Sequence, residues 1–420
     1  MELSRRDFIK VGGITIATSD VIVKNIFEKG RENEKMQELK NMVKDVKPLE
    51  LEDYLSRIEK AKSLMAKFKI DCLFLTGGTN LIYFTNVNWW RSERVFGVLL
   101  FKNYEPVWIC PSFELERAKE KVLIGKDIRT WEEHENPYKL IKNTLKEKGL
   151  ISGNIGIEES VRYFVVHELK KEIPSINLMD GRLITQGCRA IKNKKEIAYM
   201  DLANRITKLA YQYGFNRLKE GMSPGDLSSI IGEAHRKMGV TGGGSPSFGE
   251  NSAFPHGTIY KRNLKSGDIV LVDGGCSVQG YRSDVTRTIV FGKPSRKQKK
   301  IWEIVRKAQI AALNKVRPGI PCEEIDKAAR KVIEDAGFGP DYKYFTHRLG
   351  HGIGMDGHEY PYLVMGNRLK LQPGMTFSDE PGIYIYGEFG VRIEDCFVVT
   401  EEGGRFLGDM ASTDIEKPFG

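Results

Sequence analysis

Three of the chain's seven histidines lie within fourteen residues, in the stretch THRLGHGIGMDGHE. His347 and His351 are four residues apart, which on a helix would place both rings on one face, as in zinc-binding helices. Four glycines interrupt the stretch, however, and each would cost a helix about 1 kcal/mol relative to alanine. We therefore predict a bent loop or strand edge that brings His347, His351 and His358 near one point. A polar surface loop is the alternative.

A predicted hairpin carries two carboxylates that could face these histidines. The sequence DIVLVDGGCSVQGYRSDVTRTIVF has β-branched runs on either side of a glycine-containing turn. A turn centred on Val278 and Gln279 would set Asp273 opposite Asp284, with both side chains on one face. Neighbouring carboxylates repel each other, so the pair favours a bound cation. Two aspartates that cap the turn are the structural alternative.

A second hairpin, EPGIYIYGEFGVRIEDCFVV, repeats the pattern. If its turn lies near Gly387, Glu380 stands opposite Glu394, and Arg392 shares the face of Glu394. Four carboxylates and one imidazole can hold two divalent ions, and the donors suit manganese, cobalt, iron or zinc better than calcium. The predicted metal ligands are Asp273, Asp284, His351, Glu380 and Glu394.

The elements that must position these residues form a weak internal repeat. One helical pattern, from Lys194 to Leu218, leads into EGMSPGDLSSIIGEAHRKMG, and another, from Lys299 to Val316, leads into RPGIPCEEIDKAARKVIEDAG. Aligning Gly221 with Gly319 also aligns Gly239 with Gly337. Each half is then two helices followed by strands, and two such α+β halves would enclose a cleft.

A smaller domain precedes the repeat. Leu51 to Phe68 and NPYKLIKNTLKEKG have helical patterns, whereas IDCLFLT, VFGVLLF and NIGIEE are typical of strands. The alternation predicts a mixed α/β domain over residues 51–185 and a second domain over residues 190–420. Two domains are also what a chain of 420 residues is expected to form.

Composition and the N-terminus narrow the class of protein. The net charge is +9, but Lys and Arg alternate with acidic residues rather than forming a stripe, which disfavours nucleic-acid binding. The six cysteines form no CxxC pair, so a zinc knuckle is disfavoured while disulfides stay undecided. SRRDFIK resembles a twin-arginine signal within residues 1–27, followed by a charged linker or helix over residues 28–50. We therefore expect export to the periplasm or cell surface. If the stretch is only a basic N-terminus, the protein is cytoplasmic instead. We expect no transmembrane segment.

Several motifs together resemble those of the pita-bread metallopeptidases, in the Xaa-Pro dipeptidase (prolidase) and aminopeptidase P branch: VDGG, SDVTRT, HRLGHGIG with a trailing HE, DEPGIY and VRIED. The resemblance implies an α+β fold, with a pita-bread catalytic domain of pseudo-twofold halves behind a creatinase-type N-terminal domain. It implies two divalent metal ions, manganese first, held by the five residues above. The implied reaction is hydrolysis of the Xaa-Pro bond of dipeptides or short peptides by a metal-bridged hydroxide.

The same resemblance implies roles for the remaining residues. Glu380 would shuttle a proton, His347 and His358 would donate to the oxyanion or hold the substrate carboxylate, and His256 would line the substrate pocket. Arg392 would pair with a carboxylate or orient Glu394. The alternative for each of these histidines is an ordinary hydrogen-bonding residue without a catalytic role. The sequence departs from the usual family pattern where Asp356-Gly357 precedes His358 and where Asp379 adds a charge beside Glu380.

The stretch NVNWWRSERVF follows the strand-like LIYFT and is expected to expose Trp89, Trp90 and Arg91 in a turn. Core packing is the common use of paired tryptophans. In relatives, a loop of this domain can lie over the active site of a dimer partner, which implies a homodimer with these three residues on the substrate. Two other functions stay open: hydrolysis of another small C-N substrate without metal, and a non-catalytic metal-binding module.

Overall fold

The structure is a computed structural model that describes residues 39–409, 411–412 and 414–416. The predicted twin-arginine signal lies outside these residues. Within them, no helix has the length and apolar character needed to cross a membrane. The described part of the predicted linker, residues 39–50, is not helical. Its Leu39, Met42 and Val46 pack against the core of the second domain, and the Met42 amide donates to the Met238 carbonyl at 3.0 Å.

The first domain is a mixed sheet with helices packed against it. Its strands are β1 Cys72–Thr76, β2 Gly97–Phe101, β3 Val107–Pro111, β4 Asp127–Trp131, β5 Asn154–Ile157 and β6 Asn177–Asp180. Its helices are α1 Leu51–Phe68, α2 Thr79–Thr85, α3 Leu115–Lys121, α4 Pro137–Glu147, α5 Tyr163–Glu172 and α6 Arg182–Arg189. The six strands follow the order β4-β3-β2-β1-β5-β6, so the predicted mixed α/β character is confirmed.

The prediction for LIYFT is wrong, because these residues lie in helix α2. Most of this short helix is buried, including Leu81, Tyr83 and Phe84, so its burial does not alternate as that of a half-exposed strand would. The segment is too short for its periodicity to separate the two possibilities. The other helices and strands predicted for this domain are present.

The second domain contains two helical pairs, each followed by antiparallel strands. The helices are α7 Lys194–Phe215, α8 Pro224–Lys237, α9 Arg296–Lys315 and α10 Cys322–Asp335. The first half has β7 Ser245–Phe248, β8 Ile269–Gly274, β9 Ser277–Val278, β10 Tyr281–Arg282 and β11 Val285–Val290. The second has β12 Gly350–Gly352, β13 Glu359–Leu363, β14 Thr376–Asp379, β15 Gly382–Ile385, β16 Phe389–Arg392, β17 Asp395–Val399 and β18 Gly404–Phe406.

The internal repeat is confirmed by the backbone. Gly221 and Gly319, aligned from sequence, have φ angles of +83° and +86°, and Gly239 and Gly337 have +88° and +89°. Each glycine therefore takes the same left-handed turn in both halves. Two hydrophobic cores, each drawn mainly from one half with a few residues of the other, lie in this domain, and a bridge between Thr286 and Glu394 joins the strands of the two halves.

The predicted strand register is wrong in the first hairpin and correct in the second. In the first, Val278 pairs with Tyr281, so the turn consists of Gln279 and Gly280, whose positive φ angles of 49° and 81° suit a type I′ turn. Asp273 consequently faces Thr286 rather than Asp284, and the predicted register was wrong by two residues.

A shift of two keeps the face, so Asp273 and Asp284 stay diagonal neighbours in the first hairpin. In the second hairpin, Gly382 pairs with Arg392 as predicted. Asp379 pairs with Asp395 further along the same register. Glu380 and Glu394 therefore lie across from each other, in the position that the sequence predicted for them.

A buried polar network joins the two domains. Arg57 of α1 contacts Glu196 of α7 at 2.9 Å, and the Tyr281 hydroxyl lies 2.5 Å from the same carboxylate. The Arg57 guanidinium also covers the Tyr83 ring at 4.1 Å. All six cysteines are buried free thiols, so no disulfide contributes to this arrangement.

Candidate metal centre

The five predicted metal ligands come together between the two halves of the second domain. Asp273 lies near the end of β8 and Asp284 directly before β11, both in the first half. The second half supplies His351 from β12, Glu380 directly after β14, and Glu394 directly before β17. Strand ends from both halves thus converge on one cleft.

The ligand atoms form overlapping groups of a size that fits metal ions. Within the part of the chain that the structure describes, three sets each have one ligand atom per residue within 4.8 Å of the others, and they are Asp273, Asp284, Glu394; His351, Glu380, Glu394; and Asp284, His351, His358. Glu394 and Asp284 belong to two sets each. Shared carboxylates of this kind bridge the two ions of dinuclear sites.

His351 has the orientation expected of a metal ligand. Its Nδ1 lies 3.0 Å from the Gly352 carbonyl, which can only accept, so Nδ1 carries the proton. Nε2 is left to face the carboxylates, 3.3 Å from Glu380 Oε1 and 3.7 Å from Asp284 Oδ2. Metal-binding histidines typically direct their other ring N-H to a carbonyl in this way.

The charges of the cluster also favour bound cations. Burial, with the charges of Asp273 and Glu380, raises the pKa of Asp284 to about 8. Burial and the charges of Asp284 and Glu380 raise the pKa of Glu394 well above its usual range. These carboxylates oppose one another's ionisation unless positive charge lies between them, as a divalent ion would.

Thr286 and Arg392 hold the ligands Asp273 and Glu394 from behind. The Thr286 hydroxyl lies 2.9 Å from Asp273 Oδ1 and 2.7 Å from Glu394 Oε2. Arg392 donates from Nε to that hydroxyl at 3.0 Å, and its Nη2 lies 2.9 Å from Asp273 Oδ2. Arg392 thus pairs with the Asp273 carboxylate, and its predicted contact with the substrate stays a prediction. Thr286 was missed, although it lies two residues after Asp284 and therefore on the same strand face.

His347 is linked to Arg392 through Tyr384. Its Nδ1 lies 2.8 Å from the Arg348 carbonyl, and its Nε2 lies 2.8 Å from the Tyr384 hydroxyl, which accepts from Arg392 Nη1 at 3.0 Å. Burial lowers the pKa of His347, so the neutral ring accepts at Nε2 from the tyrosine. In this arrangement His347 offers no free donor, and its role toward an oxyanion stays a prediction.

His358 and His256 are the exposed histidines of the cleft. The His358 ring stacks on His351, with centroids 3.6 Å apart and planes 15° from parallel. His256 lines a cavity of about 390 Å³ together with Asp273 and Arg392. A bound peptide could therefore reach His256 while it lies against the Asp273 side of the cluster.

The expected exposure of the tryptophan loop is only partly correct. Trp89 is 6% exposed and stacks in parallel on Phe96, with ring centroids 3.8 Å apart, so the prediction that it faces solvent was wrong. Trp90 is 69% exposed. Arg91 is exposed, and its Nε donates to the Gly77 carbonyl. Trp90 and Arg91 line a small recess in the first domain, outside the metal cleft.

The predicted extra charge of Asp379 is also wrong. Its carboxyl is fully buried and has no hydrogen-bond partner among the described residues. Burial and the charge of Asp395 raise its pKa well above the usual range, so the group is neutral. As the residue next to Glu380 on a strand, Asp379 points away from the metal cleft.

Comparison with known proteins agrees with this geometry. Metallopeptidase family M24 matches residues 198–401, and the creatinase/prolidase N-terminal domain family matches residues 57–191. A Xaa-Pro dipeptidase from Lactobacillus helveticus is 35% identical over 82% of this chain and 95% of its own length.

Solved structures give the same result. A prolidase from Thermococcus sibiricus is 34% identical, with a TM-score of 0.78 over 85% of this chain and 97% of its own. The dipeptidase PepE from Mycobacterium ulcerans is 31% identical, with a TM-score of 0.80 over 87% of this chain and 98% of its own. The similarity therefore extends across both domains.

Proposed function

Since the chain belongs to metallopeptidase family M24, we propose that it is a dinuclear-metal peptidase that hydrolyses the Xaa-Pro bond of dipeptides or short peptides. The observation that carries the proposal is the pair of overlapping ligand sets that share Glu394, Asp273 with Asp284 in one and His351 with Glu380 in the other. The names of the Xaa-Pro dipeptidase and prolidase relatives support the substrate class.

The substrate explains why such a site is useful. The nitrogen of a Xaa-Pro bond carries no N-H, and the proline ring fixes φ near −65°, which excludes the extended geometry that many peptidases bind. Two bound divalent ions would polarise the scissile carbonyl and lower the pKa of a water so that it attacks as hydroxide. The protein itself must then orient the peptide and move protons.

Glu380 is positioned for the proton transfer. Without metal, burial raises its pKa, but His351, which is protonated in that state and donates from Nε2 to Glu380, and Arg392 outweigh burial and lower the pKa to about 2. The side chain is therefore an ionised acceptor at neutral pH. We assign to it the proton of the attacking water, which it then delivers to the departing proline nitrogen.

The exposed histidines act on the substrate in this proposal. His358, next to the ligand pair Asp284 and His351, donates to the developing oxyanion. His256 lines the cavity beside Asp273 and holds the peptide there. Arg392 is engaged with Asp273 and Tyr384, so it orients a metal ligand rather than binding the substrate directly.

We further propose manganese as the native metal, because one imidazole among four carboxylates is a predominantly hard donor set. A homodimer that places Trp90 and Arg91 over the partner's cleft is part of the same proposal. So is export by the twin-arginine route, on the basis of SRRDFIK.

A substrate panel tests the main proposal. The purified protein is stripped with a chelator and assayed with Xaa-Pro dipeptides, longer Xaa-Pro peptides and matched Xaa-Ala peptides, with each divalent metal in turn. Metal-dependent cleavage confined to Xaa-Pro bonds supports it. Activity that survives complete metal removal would indicate a metal-free C-N hydrolase, and metal binding without hydrolysis would indicate a binding module.

A further inference from the structure

Asp356 joins the loop that carries His358 to the first domain. Its Oδ1 accepts from the Thr79 hydroxyl at 2.6 Å, and its Oδ2 accepts from Arg189 Nη2 at 2.6 Å. Thr79 begins helix α2 and Arg189 ends helix α6, so both partners belong to the first domain. A side chain two residues before His358 is thus held entirely from another domain.

Arg189 also holds the residue that follows His358. Its Nη2 donates to Glu359 Oε2, whose other oxygen lies 2.6 Å from Lys192 Nζ. Arg189 is itself fixed, because it is buried and its Nη1 donates to Asn80 at 3.0 Å. One buried guanidinium therefore contacts residues on both sides of His358.

The catalytic domain fixes the start of the same loop. The Arg282 amide donates to the Gly354 carbonyl at 2.7 Å, and Arg282 Nε donates to the Met355 carbonyl at 3.1 Å. Arg282 lies two residues before Asp284. The loop from Gly354 to Glu359 is consequently attached to the metal side at its beginning and to the first domain beyond it.

The His358 side chain makes few contacts that would fix its position. Among the described residues its imidazole nitrogens form no hydrogen bond, and its ring contact is the stack on His351. A cavity of about 170 Å³ borders the ring, so packing does not wedge it in place. The space around the preceding residue, Gly357, is also open, because a Cβ added there would meet only Arg282 Cδ, at 4.0 Å. The position of the ring therefore depends on the residues at either side.

We propose that Asp356 is a positioning residue, which through Thr79 and Arg189 makes the placement of His358 depend on the first domain. The consequence for catalysis rests on the proposed function, whereas the placement itself does not. Displacement of a catalytic group by about 1 Å can cost about 100-fold in rate. The two hydrogen bonds that Asp356 accepts, from Thr79 and from the charged Arg189, prevent such a displacement of His358.

A double-mutant cycle tests the catalytic consequence. Asp356→Ala should lower kcat for a Xaa-Pro dipeptide by about 10-fold or more, with bound metal unchanged and only a small fall in melting temperature, because the buried Arg189 keeps Glu359 as a counter-charge. In a His358→Ala background the same substitution should have no further effect, because it acts through that ring. Equal losses in both backgrounds, or a loss explained by missing metal or a large fall in melting temperature, would overturn the proposal.

Thr79 provides a milder test that does not alter the charged network. Thr79→Val removes the donor while keeping the shape of the side chain, and should lower kcat in the same direction as Asp356→Ala. Thr79→Ser keeps the hydroxyl and should restore the rate. Equal rates in the two Thr79 variants would contradict the proposal even if the Asp356 variant failed to fold.

A measurement without substrate separates this proposal from the proposed function. In metal-free protein with 13C-labelled histidine rings, the His358 signal is identified by its absence in His358→Ala. Asp356→Ala should shift or broaden that signal, since the ring leaves the stack on His351, while the signal of His235, buried in α8, stays unchanged. An unchanged His358 signal would overturn the positioning role. A wild-type protein without Xaa-Pro activity would overturn only the proposed function.

Discussion

Asp379 and Asp395 face each other across strands β14 and β17, yet their environments differ completely. Asp395 Oδ1 lies 2.7 Å from Lys208 Nζ and 2.7 Å from Arg287 Nη2, whereas Asp379 has no partner among the described residues. Burial raises the pKa of Asp395, but the two cations outweigh it and the pKa is lowered. The pair is therefore one neutral and one ionised carboxyl directly behind the metal cluster.

The same substitution should have opposite results at these two positions. Asp379→Asn replaces a neutral group by a neutral group, so we expect activity, bound metal and stability close to wild type. Asp395→Asn leaves Lys208 and Arg287 buried without their counter-charge, which should cost about 3–5 kcal/mol of unfolding free energy. Chemical denaturation of both variants measures the difference. A loss at Asp379→Asn as large as that expected for Asp395→Asn would contradict the neutral state of Asp379.

Loss of a shared ligand should remove metal without unfolding the protein. Asp284→Asn and His351→Ala are each expected to abolish detectable Xaa-Pro hydrolysis and to lower bound metal, because a preformed site loses one of its ligands. Metal content by elemental analysis and far-UV circular dichroism check both points. A variant with full metal and full activity would contradict the dinuclear site.

The metal-free protein should lose stability as pH rises. In the folded state Asp284 has a pKa of about 8, against about 3.9 in an unfolded chain, so between these values the folded state holds the extra proton. Its contribution is present below pH 4 and is lost as pH rises through 8. Melting temperatures measured from pH 5 to pH 8.5 test this expectation.

Two comparisons isolate the cause of that pH dependence. Asp284→Asn should reduce the slope, because the residue no longer titrates, while Glu394, Asp379 and His351, whose pKa values are also raised, contribute the remainder in the same direction. Saturation with manganese should also flatten it, and binding should release protons that calorimetry detects in buffers of different ionisation enthalpy. A slope that is equal in all three samples would have another origin.

The two tryptophans should differ in what they affect. Trp89→Ala empties a buried stacking position and should cost about 3–5 kcal/mol of stability. Trp90→Ala removes an exposed ring and should leave stability unchanged while raising KM for Xaa-Pro peptides in a dimer. Sedimentation analysis with steady-state kinetics tests this. An active monomer, or a Trp90 variant with unchanged KM, would remove the loop from the substrate site.

The proposed export rests on the first residues of the chain. Replacing Arg5 and Arg6 together by Lys should retain the protein in the cytoplasm if the twin-arginine machinery reads SRRDFIK. Fractionation of cells that express each form gives the answer. Wild-type protein found wholly in the cytoplasm would rule the signal out.

The clustering of the five predicted ligands could be predicted because metal chemistry restricts residue types and strand alternation restricts their faces. Glu380 and Glu394 were paired correctly from sequence because a loop centred on Gly387 fixes their register. Asp273 and Asp284 were paired two residues out of register, since only the positive φ of both Gln279 and Gly280 reveals where that turn lies. An error of two preserves the face, so the cluster was still predicted.

Other features depend on tertiary contacts that a sequence does not display. Trp89 and Trp90 are adjacent and alike, and only the position of Phe96 decides which of them is buried. The neutrality of Asp379 depends on complete burial beside Asp395. The hydrogen bond from Thr79 to Asp356 joins residues that are 277 positions apart in the sequence. None of these contacts produces a periodic pattern in the sequence from which it could be predicted.

The division of the ligands between the two halves has a consequence for biosynthesis. Asp273 and Asp284 leave the ribosome first, and at that stage they are two repelling carboxylates without a site. His351, Glu380 and Glu394 follow much later in synthesis, and a domain of this kind folds as a unit. If the cluster binds metal as proposed, the complete site can form only after Glu394 has been synthesised, and a translation product that ends before Glu394 should be inactive.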